Sequence, residues 1–170
     1  MRRVIIICIM FLILLPVIQT KAKTKIPEPT FEETVETMVR EHKIMLDRLI
    51  AAWEHRQEEI NLLAEVIYHE NWHTDKDHLA AYYTGAVVMN RVNSSAWPNT
   101  VKEVLYQRGQ YSTTKLFYTK EIPQECYDMA RDILINGTPD VPENVVFQSM
   151  NPKLGKKIWK SLNGEYFAYG

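Results

Sequence analysis

The densest run of chemically useful side chains is His69-Glu70-Asn71-Trp72-His73. Glu70 ends an apolar stretch and stands between two aromatic residues, Tyr68 and Trp72. A carboxyl shielded by such neighbours loses hydration of its charged form and keeps its proton to higher pH, as a general acid must. The same residues support a different chemistry. On a helix, residues four apart share a face, so His69 and His73 of an H-E-x-x-H pattern would hold zinc while Glu70 activated water for peptide cleavage. The extended form of that pattern is missing, because Lys76 stands where it requires glycine and Leu79 where it requires a third histidine. A third ligand would have to come from His78, Asp77 or a distant Glu, and nothing in the sequence selects one.

These residues need elements to carry them. Ile60, Leu63, Ala64, Ile67 and Tyr68 recur at helical spacing up to Glu70, so a helix delivers the carboxyl. Leu79 to Val92 is apolar on most sides and predicts a central buried helix. The pattern breaks at Pro98, after which Thr100-Val101-Lys102-Glu103 is a capping box opening a short helix. Tyr106 to Thr114 reads as a loop. Pro123 opens a helix through Ile135, and Gly137 suits its stop. Val145-Val146-Phe147 and Tyr166 to Tyr169 are the strand candidates, short and late. The expected class is mostly α, an α+β fold with a short β element.

Upstream, Phe31, Val35, Met38, His42, Met45, Leu49 and Ala52 alternate at steps of four and three, the stripe of an amphipathic helix. That helix either packs on the domain, forms a short coiled coil, or acts as a spacer. It follows a basic tether, Lys21 to Thr30, carrying Pro27 and Pro29. Met1-Arg2-Arg3 and the apolar run Val4 to Ile18 read as a signal peptide, with Thr20 and Ala22 near a cleavage point. At ~1.5 Å per residue the run spans roughly 22 Å, short of a hydrocarbon core of about 30 Å, so cleavage is favoured over a retained anchor. The expected division is residues 1–22 for export or anchoring, 23–59 for tether and helix, and 60–170 for the catalytic domain. A secreted or cell-envelope location follows, with membrane contact only through an uncleaved N-terminus.

The chain has 170 residues, 46% of them hydrophobic, enough for one packed domain and too apolar for wholesale disorder. Net charge is −1, and the first 22 residues hold Arg2, Arg3 and Lys21 without an acid, so the remainder is acidic. No clustered basic surface suggests a nucleic-acid partner. Cys8 lies in the apolar leader and Cys126 is alone beyond it, so no internal disulfide is expected in the domain; Cys126 reads as a small buried side chain.

Several segments, taken in order, resemble a known family. Ala64 to Glu70, Ala86-Val87-Val88-Met89-Asn90-Arg91-Val92, Trp97-Pro98-Asn99-Thr100-Val101, Tyr106-Gln107-Arg108-Gly109-Gln110-Tyr111-Ser112, Val146-Phe147-Gln148 and Gly164-Glu165-Tyr166-Phe167 are similar to the cell wall hydrolases related to spore-cortex-lytic enzymes. The resemblance covers about residues 60 to 170. It departs after Glu70, where Asn71 to His78 replaces a small segment containing Arg, Gly and another Glu. What the resemblance implies is a lysozyme-like α-rich domain that cuts peptidoglycan glycan strands by hydrolysis or lytic transglycosylation, without metal or cofactor. Glu70 aligns with the catalytic acid, and a second carboxylate is then dispensable. Gln110, Tyr111 and Ser112, in a polar-aromatic loop, and Gln148 and Tyr166, near the strands, are the candidate substrate contacts. Asn90 and Arg91 are expected to tie helices together and not to touch substrate. The alternatives are the zinc peptidase and a non-catalytic wall-associated scaffold.

Overall fold

The computed structural model describes residues 29–170. The signal-peptide reading, Cys8 and most of the tether lie outside these residues. Helix α1, Phe31–Asn71, opens on a capping box: the Thr30 N–H donates to Glu33 Oε2 at 2.7 Å and the Glu33 N–H donates to Thr30 Oγ1 at 3.2 Å. The apolar stripe at its start is solvent-exposed, with Phe31 at 86% and Leu49 at 59%, and Val39, Leu46, Ile50 and Trp53 are exposed beside it. The described residues divide into two units, 29–45 and 46–170. Burial along α1 sets in at Ile60.

Four further elements complete the helical layer: α2, Leu79–Val92; α3, Val101–Leu105; a 3-10 turn, Ser112–Leu116; and α4, Gln124–Asn136. Helix α2 has the predicted limits and sits between two apolar clusters, which is why it is hydrophobic all round. Its Ala81 and Val88 pack with Leu63, Ile67, Val104 and Ile133 of the other helices. Its Ala80, Tyr83 and Val87 pack with Val145 and Phe167 of the sheet. Gly85 marks a close approach, where an added Cβ would lie 2.6 Å from Ile133 Cδ1. Helix α4 starts after Pro123 and stops at Gly137, whose φ of 72° few other residues adopt readily. Cys126 is fully buried on α4, and burial pushes its thiol up to about 12, so it is packing and not a nucleophile.

The sheet has three antiparallel strands in the order β1-β3-β2: β1 Val145–Ser149, β2 Lys157–Leu162, β3 Glu165–Tyr169. This is a mostly helical α+β domain with a small sheet, of the lysozyme-like kind. Strand β2 was not anticipated. It is an edge strand with most residues exposed, so Lys157 and Lys160 break the apolar alternation that marks a buried strand. Asn163 and Gly164, both at positive φ (47° and 90°), turn it into β3.

Asn90 and Arg91 do tie elements together, but helix to sheet. Asn90 Nδ2 donates to the carbonyls of Pro142 and Val145 at 2.9 Å each, and Arg91 Nε donates to the Val146 carbonyl at 2.7 Å. Replacing Asn90 with Ala strands these carbonyls and should lower the unfolding free energy by about 1–3 kcal/mol, read by denaturant titration with an unchanged slope.

Candidate active site

Glu70 is placed by the way α1 ends. The next residue, Asn71, is buried, and its amide is satisfied within the protein: Nδ2 donates to Thr84 Oγ1 of α2 and Oδ1 accepts from Thr74 Oγ1, both at 2.8 Å. The chain then turns, and Asp75 caps α2 by accepting from the N–H groups of Leu79 (2.8 Å) and Ala80 (3.0 Å). His78 takes the left-handed conformation, φ 54°, that this turn requires. Its ring stacks on Trp72 with centroids 3.7 Å apart.

The expected shield for Glu70 therefore does not form from its sequence neighbours. Trp72 is occupied by His78, and Tyr68 meets His69, His73 and the Lys120 ammonium. Glu70 instead lines a cleft of about 400 Å³ together with Arg91, Gln110, Tyr111, Gln148 and Glu165. Thr113, on the 3-10 turn, donates its hydroxyl to Glu70 Oε1 and fixes the carboxyl. Among the described residues no side chain donates to the other oxygen.

Three of the expected contact residues, Gln110, Tyr111 and Gln148, are thus brought together with Glu70. Ser112 and Tyr166 are not among the lining residues. Ser112 is exposed at the start of the 3-10 turn, and Tyr166 pairs with Ser149 while its neighbour Glu165 faces the cleft. The Tyr111 hydroxyl and Gln148 Oε1 are buried with no protein partner. Buried polar groups are normally paired, so two such groups in one cleft are placed for a hydrogen-bonding ligand. Burial pushes the Tyr111 hydroxyl up to about 12, Arg91 working against that and the charges of Glu70 and Glu165 reinforcing it, so Tyr111 remains a donor at neutral pH. Arg91, itself buried, lies 4.3 Å from the Trp97 ring centroid and 5.3 Å from that of Tyr111.

Two cleft residues, Thr113 and Glu165, were not anticipated. Thr113 sits in a polar loop that gives no sign of a 3-10 turn. Glu165 had one available signal: Asn163-Gly164 is a hairpin turn, and alternation in β3 places Glu165 on the same face as buried Phe167.

The H-E-x-x-H pattern is broken by the same helix end. Since α1 stops at Asn71, His73 lies beyond the helix and is exposed, while the His69 imidazole is buried with Nε2 3.2 Å from Glu65 Oε2 and its ring stacked on Phe117. Among the described residues no three His, Cys, Asp or Glu side chains are grouped to hold a metal ion.

A second, larger groove of about 900 Å³ meets the cleft at Phe147. It is lined by Trp97, Asn93, Ser94, Ser95 and Asn144 among others, and Glu70 is not among its lining residues. Among the described residues no helix is long and apolar enough to cross a membrane.

The family model described as Cell Wall Hydrolase matches residues 76–168, more than half of the chain. The chain belongs to that family. The match contains Arg91, Gln110, Tyr111, Gln148 and Glu165, and begins six residues after Glu70, whose place rests on the cleft geometry. No curated protein and no solved structure matches the chain.

Two outcomes follow from this geometry. Thr113→Val releases the Glu70 carboxyl and should cost ~10-fold or more in the turnover of cell wall material with little change in binding, read as kcat against KM. Tyr111 ionises at about 10 when unfolded and about 12 when folded, so its neutral form stabilises the fold less and less as pH rises through that window. Tyr111→Phe should flatten the fall in stability between about pH 10 and 12, measured by thermal unfolding.

Proposed function

We propose that this cell wall hydrolase cuts the glycan strands of peptidoglycan, with Glu70 as the proton donor. The observation that carries the reading is a fixed carboxyl in a cleft where two buried polar groups lack protein partners. Glu70 is held by the Thr113 hydroxyl, while the Tyr111 hydroxyl and Gln148 Oε1 are left for a ligand rich in hydroxyl and amide groups. Amino-sugar units have that chemistry. A cleft of about 400 Å³ is within the usual size for a small-ligand site, roughly 300–1,000 Å³. The adjoining groove past Phe147, with the Trp97 ring beside it, gives a polymer room to continue.

Glu70 gives its proton to the glycosidic oxygen as the bond from that oxygen to the anomeric carbon breaks. The sugar left behind carries oxocarbenium character until an acceptor hydroxyl attacks it. Water as acceptor gives a reducing end, and the muramic acid's own 6-hydroxyl gives an anhydro end. Peptidoglycan lies outside the cytoplasmic membrane, so the enzyme acts there. Residues 1–22 serve export or anchoring in this reading, and 60–170 form the catalytic domain.

Digestion of purified peptidoglycan followed by mass analysis of the fragments tests the assignment. New reducing or anhydro sugar ends are expected, and Glu70→Gln should reduce their release by ~10²–10⁴-fold while the protein stays folded. His73→Ala should leave the products unchanged. Peptide cleavage abolished by a chelator, or full glycan cleavage by Glu70→Gln, would contradict the assignment.

A further inference from the structure

Beyond Glu70, one more carboxyl enters the cleft. Glu165 begins β3 directly after the Asn163-Gly164 turn, is half-buried, and lines the same cleft as Glu70. Among the described residues it has no hydrogen-bond donor and no cationic partner within salt-bridge distance. A carboxyl placed in a recess without either is not there for stability, since an unpaired buried charge costs free energy.

Its position relative to Glu70 is built in. Asn163 Nδ2 donates to the Thr74 carbonyl at 2.7 Å, and the Thr74 hydroxyl donates to Asn71 Oδ1 at 2.8 Å. The hairpin that carries Glu165 is therefore hydrogen-bonded to the turn that ends the helix carrying Glu70. Tyr111, 5% exposed and with an unpartnered hydroxyl, lines the cleft with both acids, so a ligand seated there meets all three groups.

We propose that Glu165 is the second catalytic carboxyl, the base that accepts the proton of the acceptor hydroxyl. This deepens the glycan-cleavage reading and rests on it. In the first step the Glu70 proton passes to the glycosidic oxygen, the bond to the anomeric carbon breaks, and Glu70 becomes anionic. In the second, the acceptor oxygen bonds to the anomeric carbon and its proton passes to Glu165. Glu165 then releases its proton to solvent and Glu70 takes one up, so the pair ends as it began.

The local electrostatics favour this order. Burial raises the Glu165 carboxyl above the usual range, and the charge of Glu70 raises it further. Glu165 thus becomes the stronger base once Glu70 has given up its proton, at the moment a base is needed. The other titratable groups lining the cleft are Arg91 and Tyr111, and Tyr111 stays neutral in the working range.

The test compares wild type, Glu70→Gln, Glu165→Gln and Glu165→Ala on purified peptidoglycan, with circular dichroism and thermal unfolding to establish that each is folded. Glu165→Gln should lose ~10²–10⁴-fold in kcat with KM nearly unchanged. It should also lose the acid-side fall of the pH profile, because that fall reports protonation of the base. Formate should restore part of the activity of Glu165→Ala and none of that of Glu70→Gln. Turnover of Glu165→Gln within about threefold of wild type with the acid-side fall intact would overturn the role of Glu165 alone. So would loss of Glu165→Ala activity that no small carboxylate restores. Wild type that releases no glycan fragments would overturn the glycan reading and this proposal with it.

Discussion

A buried amide governs the geometry of the cleft. Asn71 is buried, only 4% exposed, so both ends of its side chain need partners within the protein. Donating to Thr84 locks the end of α1 against α2, and accepting from Thr74 folds the following turn back under the helix. That turn then offers its Thr74 carbonyl to Asn163, which anchors the β2-β3 hairpin. One side chain thereby connects the helix that carries Glu70, the central helix and the hairpin that carries Glu165. Leaving any of these groups unpaired would cost about 1–3 kcal/mol, enough to hold the arrangement together.

The central helix provides the rest. Because α2 is covered by helices on one side and by the sheet on the other, Asn90 and Arg91 can be buried only if β1 supplies acceptors, and its carbonyls do so. Register follows from this anchoring. With β1 fixed to α2, pairing with β3 sets Gln148 opposite Phe167 and Ser149 opposite Tyr166. Phe167 packs against Tyr83 of α2, and alternation carries Glu165 to the same face. The cleft is thus assembled from one end of α1, the α2 side, the loop through Tyr111 and the near edge of the sheet.

Much of this was legible in the sequence for a physical reason. A helix buried on all sides must be apolar on all sides, and Leu79 to Val92 is; Pro123 and Gly137 mark the ends of α4 because backbone geometry restricts what can stand there. Thr100 and Glu103 cap α3 as expected, although the Glu103 carboxylate takes the Thr100 hydroxyl as its partner. What escaped was set by long-range pairing. The end of α1 at Asn71 depends on Thr84, thirteen residues on, so the sequence alone allowed the helix to run through His73 and suggested a zinc site. The choice of Glu165 over Tyr166 depends on which face of β3 borders the cleft, and that is set by its pairing with β1 and β2. Strand β2, exposed along most of its length, carries too weak a pattern to announce itself.

The account stands or falls on where the sugar lies relative to Glu70. Its most direct measurement is the crystal structure of folded Glu70→Gln protein bound to a short, uncleaved peptidoglycan oligosaccharide. The account predicts the linking oxygen within hydrogen-bond reach of the residue-70 side chain, roughly 2.6–3.2 Å, with the saccharide in contact with Tyr111 and Gln148. A saccharide seated wholly in the groove beside Trp97, or a stem peptide lying across residue 70 in its place, would contradict it.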